Sequence, residues 1–373
     1  MRPLQILILV LQGSLAAEAA SWTLHKSCYR KEIFENGDST KKITVDDKEL
    51  ENAIIKGVED AKAWAAAAAS HIKDSLSKIP MKGRTIKAAL EPLIGKDNYN
   101  TAAIDVNLKF DQIANMNGPI GREGGENTRY DESLAWTHLE NSDDHFLNFI
   151  ITCRPEITWR DDVNVLNPDK VPYDMVRSAP LTNPHDFVNF LKQEEAPGEW
   201  TQVEGVRVKA VTARDLNTPT GQRLRVPESI NFHPPWIKFQ RSRGFVDWTQ
   251  ETLNKVTAKT APDEFREISE REKKDIRRSV DGLLRDCFTT NVLHEKWFFS
   301  LLYSPHVPVL SSDVLWSHVD DMDLAYGWAN NVKAKNRENP DLYSLIAAVI
   351  HLLCKEGTNY KVTAEGHVKV KAP

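Results

Sequence analysis

The chain has 373 residues and a mass of 42.3 kDa, with 41% hydrophobic and 27% charged residues. That composition supports a sizeable core and excludes wholesale disorder. A net charge of -5 and a pI near 6.2 supply no basic field for nucleic acid, and 17 Gly with 19 Pro exclude collagen-like and low-complexity classes.

Arg2 precedes an apolar run from Leu4 to Leu11 that only Gln5 interrupts. Small residues follow, with Ala17 and Ala19 placed as a signal peptidase requires. Residues 1–19 are therefore predicted to be a signal peptide, cut after Ala19 or Ala20, and the protein is expected to be secreted. The run is too short for a bilayer, which needs about 20 apolar residues. No later segment qualifies either, so no membrane partner is expected.

Four cysteines remain after that cut: Cys28, Cys153, Cys287 and Cys354. An even number in an exported chain predicts two disulfides. Four cysteines allow three pairings, and spacing does not choose among them. No CxxC occurs, which argues against a cysteine zinc site.

Asp46 and Glu49 form a capping pattern that predicts a helix to about Lys78, with Ile54, Val58, Ala61, Ala65 and Ala68 on its inner face. Pro80 and Gly83 close it. Residues 84–130 read as less regular, and Gly118, Gly121, Gly124 and Gly125 read as a surface turn because no Gly-Lys-Ser/Thr follows. Phe146 to Cys153 reads as a buried strand. About 155–265 reads as a long irregular insertion in a single domain of residues 20–373. Within it a helix is expected near Asp186 to Lys192 and a strand at Gly205 to Val211.

Ser269 and Glu272 open another capped helix, with Ile276, Val280, Leu284 and Cys287 on one face. A further helix is expected from about Asn291 to Tyr303, stopped by Pro305. The last has Asn339 as N-cap, Pro340 at its first position and Gly357 at its end. Its residues Leu342, Leu345, Val349 and Leu352 face the core.

Two stretches carry possible chemistry. His294-Glu295 lies on the predicted helix that ends at Tyr303. Asp323-x-x-Tyr326-Gly327 follows His294 by 29 residues. In His-Glu-x-x-His, residues i and i+4 share a helix face, so two imidazoles bind one zinc while the Glu activates a water. Here Phe298 stands at i+4.

Together these stretches resemble the fungal secreted zincins of the deuterolysin and lysine-specific metallo-endopeptidase type, the aspzincins. In that family His-Glu-x-x-His is followed by Gly-Thr-x-Asp-x-x-Tyr-Gly. The resemblance implies an α+β, zincin-like metallopeptidase catalytic-domain fold. It makes His294 and Asp323 metal ligands, Glu295 the general base and Tyr326 the oxyanion donor. Asn339-Pro340-Asp341-Leu342-Tyr343 resembles the family's stretch after the zinc site, as Cys28 and the Ala-rich helix resemble its beginning. The match is strongest over about 270–356, weaker over 20–155 and absent between.

Phe298 in place of a histidine and Asp320-Asp321 in place of Gly-Thr depart from the pattern. Two ligands hold zinc weakly or not at all. His306 and His318 are the residues that could stand in. The expectation is a catalytically impaired pseudo-peptidase, a monomer that takes a polypeptide in the ancestral cleft. The alternatives are an active zinc endopeptidase with an unusual ligand set, and a structural or host-interaction protein that uses the insertion. The cluster Asp320, Asp321 and Asp323 lacks the spacing of a calcium loop and reads equally as a solvated turn.

Overall fold

A computed structural model describes residues 22–34, 41–77, 79, 83–116, 149–153, 210–213, 228–232, 234–260, 278–285, 287–293, 327–337, 339–355 and 359–371. It combines long helices with small sheets, as expected for an α+β chain. One sheet has four strands: β1 (Trp22–Leu24), β4 (Phe149–Thr152), β6 (Glu228–Phe232) and β5 (Ala210–Ala213), in that spatial order. β1, β4 and β6 run parallel, in the registers Trp22 to Phe149 and Phe149 to Glu228. β5 closes the edge antiparallel to β6, with Ala210 opposite Phe232. β2 (Arg30–Phe34) and β3 (Lys42–Asp46) form a separate antiparallel ribbon.

Parallel neighbours need a long crossover. Between β1 and β4 that crossover carries α1 (Lys48–Ser75), α2 (Arg84–Ile94) and α3 (Tyr99–Ala114). α1 begins where the Asp47 side chain accepts the Leu50 N–H, one residue after the cap expected from sequence. Its inner face holds Ile54, Val58, Ala61, Ala65, Ala68 and Ile72, all fully buried. The alanines give little bulk, which lets α3 pack closely along α1. Each larger apolar side chain on this face contributes about 1.5–3 kcal/mol by leaving water. Arg241 of α4 (Pro234–Ser242) fastens the start of α1, donating to both Asp47 oxygens at 3.2 and 2.7 Å.

Several elements differ from the sequence reading. Residues 84–114 form α2 and α3 rather than irregular chain. The stretch read as an irregular insertion supplies β5, β6, α4 and α5 (Gln250–Thr257) to the core, with Phe232, Trp236 and Val256 fully buried. The strand expected at Gly205 to Val211 lies slightly later, at Ala210–Ala213. The helix expected near Asp186 to Lys192 lies outside the described residues. No continuous helix joins Val280, Leu284 and Cys287. The expected opening at Ser269, Glu272 and Ile276 lies outside the described residues. A 3-10 turn (Ser279–Asp281) and a short α6 (Gly282–Arg285) carry Val280 and Leu284, and a separate helical segment at 288–293, α7, stands where the helix expected from about Asn291 begins. The break has a physical cause: Asp281 turns back to accept the Arg278 N–H at 2.7 Å, and Asp247 caps α7 from outside.

The chain closes with α8 (Trp328–Ala334), α9 (Pro340–Cys354) and an antiparallel hairpin of β7 (Tyr360–Val362) and β8 (Val368–Val370). α9 starts as expected, with the Asn339 side chain accepting the Asp341 N–H and Pro340 in the first turn. It is buried on every side from Pro340 to Ile350 and touches α1, α2, α6 and α8, so it is the central helix.

Cys28 and Cys153 form a disulfide beside the β1–β4 pair. The expectation of a second one is corrected. Cys287 is buried and unbonded, its thiol donating to Asp247 at 3.3 Å, and Cys354 is exposed and unbonded at the last residue of α9. The two thiols occupy different surroundings, Cys354 being near Asp74 of α1. Among the described residues no helix is long and apolar enough to cross a membrane.

Candidate functional site

α7 is the stem of the His294-Glu295 stretch. Asp247 receives the Thr289 N–H and the Thr289 hydroxyl, both at 2.9 Å, and satisfies the first turn of the helix. Phe288 enters a stack with Phe232 and Trp236, with Phe245 edge-on at 5.6 Å. Its ring also fills the space that the absent side chain of Gly57 leaves on α1. Val292 and Leu293 are fully buried, so the described end of the helix, just before His294 in sequence, lies inside the core.

Gly327 and Trp328 form the stem of the second stretch, immediately after Tyr326. The Gly327 N–H donates to Asp341 at 2.8 Å, and the Trp328 N–H donates to Asp281 at 2.7 Å. Gly327 has φ 84° and ψ 165°, a conformation confined to glycine. Asn331 bridges back, donating to the Gly327 carbonyl at 2.9 Å and to Asp341 at 2.8 Å. Asn339 completes the ring by donating to the Asn331 side-chain oxygen at 3.0 Å.

Both stems rest on one turn of α9. Ser344 donates its hydroxyl to the Thr290 carbonyl of α7 at 3.2 Å, and Asp341 holds Gly327. Residues three apart on a helix share a face, separated by a rise of about 4.5 Å. The terminal hairpin adds a third contact. Gly366 accepts the Val280 N–H, Ser279 accepts the Val368 N–H, and the Trp328 indole donates to Ala364 at 3.0 Å.

The candidate residues themselves, His294, Glu295, Phe298, Asp323 and Tyr326, lie outside the described residues, as do His306, His318, Asp320 and Asp321. Only their stems are brought together. Sequence reading missed Asp247, Asp281 and Asn331. Asp281 reaches a partner 47 positions away and Asp247 one 42 away, distances at which no local pattern operates. Asp341 was noticed only as part of a resembling stretch.

Burial pushes the Cys287 thiol well above its ordinary pKa, and the Asp247 carboxylate adds to the effect, so this cysteine is not a nucleophile. His351 stacks on Trp64 at 4.0 Å with Trp248 at 5.4 Å, and burial lowers its pKa against the pull of Asp247. Among the described residues no group of three His, Cys, Asp or Glu side chains is placed to hold a metal ion. Comparison of the chain with protein-family models, with curated proteins and with solved structures finds no match.

Proposed function

We propose that the chain is a secreted zincin-like metallopeptidase homologue that binds a polypeptide in its former substrate cleft and hydrolyses it poorly or not at all. One observation carries the reading. The stem of the His294-Glu295 stretch and the stem of the Asp323-x-x-Tyr326 stretch are seated on the same turn of α9, through Ser344 and Asp341. Two stretches 29 positions apart in sequence that share one support are suited to converge on one ion. The Cys28–Cys153 disulfide fits an exported chain.

The donor set does not fit a hydrolytic zinc. His294 and Asp323 provide two ligands, and Phe298 occupies the place of the third. A catalytic zinc takes three protein ligands and a water. No hydrolytic step is therefore assigned to Glu295 or Tyr326. The loss of a ligand leaves the surrounding cleft available for binding alone.

Zinc calorimetry on the wild type and on Phe298→His tests the reading, with a general peptidase assay beside it. The wild type should take no stoichiometric zinc. The variant places an imidazole one turn after His294 and should gain zinc affinity by orders of magnitude. Tight zinc in the wild type would replace this reading with an active endopeptidase. No gain in a folded variant would remove the family reading altogether.

A further inference from the structure

The outward face of the terminal hairpin carries three lysines and little to neutralise them. β7 and β8 pair with Lys361 directly opposite Lys369, Tyr360 opposite Val370 and Val362 opposite Val368. Lys371 continues the ladder, its N–H donating to Asn359. Side chains alternate across a strand, so Lys361, Lys369 and Lys371 share one face with His367, while Tyr360, Val362 and Val368 pack on the core from the other. Lys361 and Lys369 are exposed. Directly opposite residues stand about 5 Å apart, and Lys369 and Lys371 about 7 Å apart along β8. Like charges placed opposite each other destabilise a ribbon. On α1, by contrast, Lys48, Lys56, Lys62 and Lys73 each pair with a carboxylate.

One carboxylate, Glu365, lies at the hairpin turn, and the Thr363 hydroxyl engages it first. Burial lowers the pKa of His367, and Arg278 and Lys369 lower it further against Glu365. The face thus carries a positive field in a chain whose net charge is -5. It is also a rigid platform. Gly366 accepts the Val280 N–H, Ser279 accepts the Val368 N–H, and a Cβ on residue 366 would meet the Trp328 ring at 2.5 Å.

We propose that this face is a docking surface for a linear sulfated polysaccharide, with Lys361, Lys369 and Lys371 each meeting a sulfate. Charge complementarity selects an anion, and three features select this one. Ammonium groups spaced along a flat face suit repeating charges rather than one enclosed anion. Lysine is a point charge without the guanidinium fork that reads a phosphate bidentately. The face holds no Phe, Tyr or Trp on which a base would stack and no apolar side chain to enter a bilayer; Val370, 59% exposed, belongs to the opposite face. The choice of sulfate rests on the export reading, which the Cys28–Cys153 disulfide fits, and not on the cleft.

Calorimetry of the full chain with a heparin oligosaccharide of defined length tests the proposal. The wild type should bind, more weakly as salt rises. Lys361→Gln with Lys369→Gln should weaken binding about 5-fold per lysine, the usual effect of one lysine near an anionic surface. The salt dependence should become shallower by about one power of salt concentration per lysine, as released counterions require. Lys56→Gln with Lys62→Gln removes the same charge from α1 and should leave affinity unchanged. Equal loss in both pairs would overturn the surface.

Lys361→Glu separates docking from folding. It places opposite charges across the ribbon, so the melting temperature should hold or rise while binding falls further. It also keeps a charge on the strand, so a role limited to guarding the edge against other chains is preserved. Unchanged binding in this variant would overturn the proposal, as would a wild type that takes no oligosaccharide. Phosphatidylserine vesicles or duplex DNA bound as tightly as the oligosaccharide would overturn the choice of occupant. None of these outcomes touches the peptidase-fold reading, which zinc tests separately.

Discussion

A Cβ placed on Gly57 would stand 2.3 Å from the Phe288 ring. α1 and α7 can touch there only because residue 57 has no side chain. Alanine in a helix interior gains about 1 kcal/mol over glycine. Overpacking a core costs about 1–3 kcal/mol. Gly57→Ala should therefore lower stability, and Phe288→Leu in the same chain should recover part of the loss. A urea double-mutant cycle measures it. Stabilisation by Gly57→Ala alone would show that the Phe288 ring yields freely.

Thiol chemistry separates the four cysteines. In the native protein one thiol, Cys354, should react quickly with an aromatic disulfide reagent, because it is exposed. A second, Cys287, should react only on unfolding, since burial and Asp247 hold it protonated. Two fast thiols or none would contradict this. Replacing Cys28 and Cys153 by serine should cost about 2–5 kcal/mol, the usual value for a native disulfide in an exported domain.

His351 makes stability fall in mild acid. Its folded pKa is lowered, first by burial, while Lys355 assists and Asp247 and Asp60 oppose. Below its ordinary value near 6.5 the unfolded chain binds the proton more readily than the folded one. Stability is then intact above about pH 6.5 and declines as pH falls toward the lowered folded value. His351→Phe keeps a ring against Trp64 and should flatten the curve between pH 7 and pH 5 relative to wild type. Identical slopes in urea titrations would assign the acid loss to other groups.

Arg241→Ala should destabilise by about 1–3 kcal/mol, because it strips a charged partner from the buried Asp47. Glu49 is more than half exposed, so its pair with Arg241 contributes little. The loss should therefore persist at high salt. Full screening by salt would place the energy in the exposed pair.

Local signals were read well where one residue type has one strong use. Asp46 and Glu49 marked α1 to within a residue, Asn339-Pro340 marked α9, and the apolar run around Phe149 marked β4. α2 and α3 escaped because Pro92 sits inside one and Ile104 and Leu108 lie exposed on the other, which blurs the helical period. The helix expected to run through Cys287 is broken there because side chains from other elements, Asp247 above all, decide where α7 starts. Cysteine pairing was illegible for the same reason: it depends on β1 lying beside β4. At the candidate site the motif residues lie outside the described residues, and the carboxylates that hold Gly327 and Trp328 were not legible, since their partners are distant in sequence.

The place of α9 in the chain has a consequence for synthesis. The helix around which α1, α2, α6 and α8 assemble is Pro340–Cys354, and the hairpin that grips Ser279 and Trp328 comes later still. A nascent chain that has reached residue 300 holds α1, α2 and α6 but lacks the helix they close upon. Cys28 and Cys153 are already both present at that stage. The faces of α1, α2 and α6 that α9 covers therefore stay open until residues 340–354 emerge, and the early chain depends on remaining unaggregated until then.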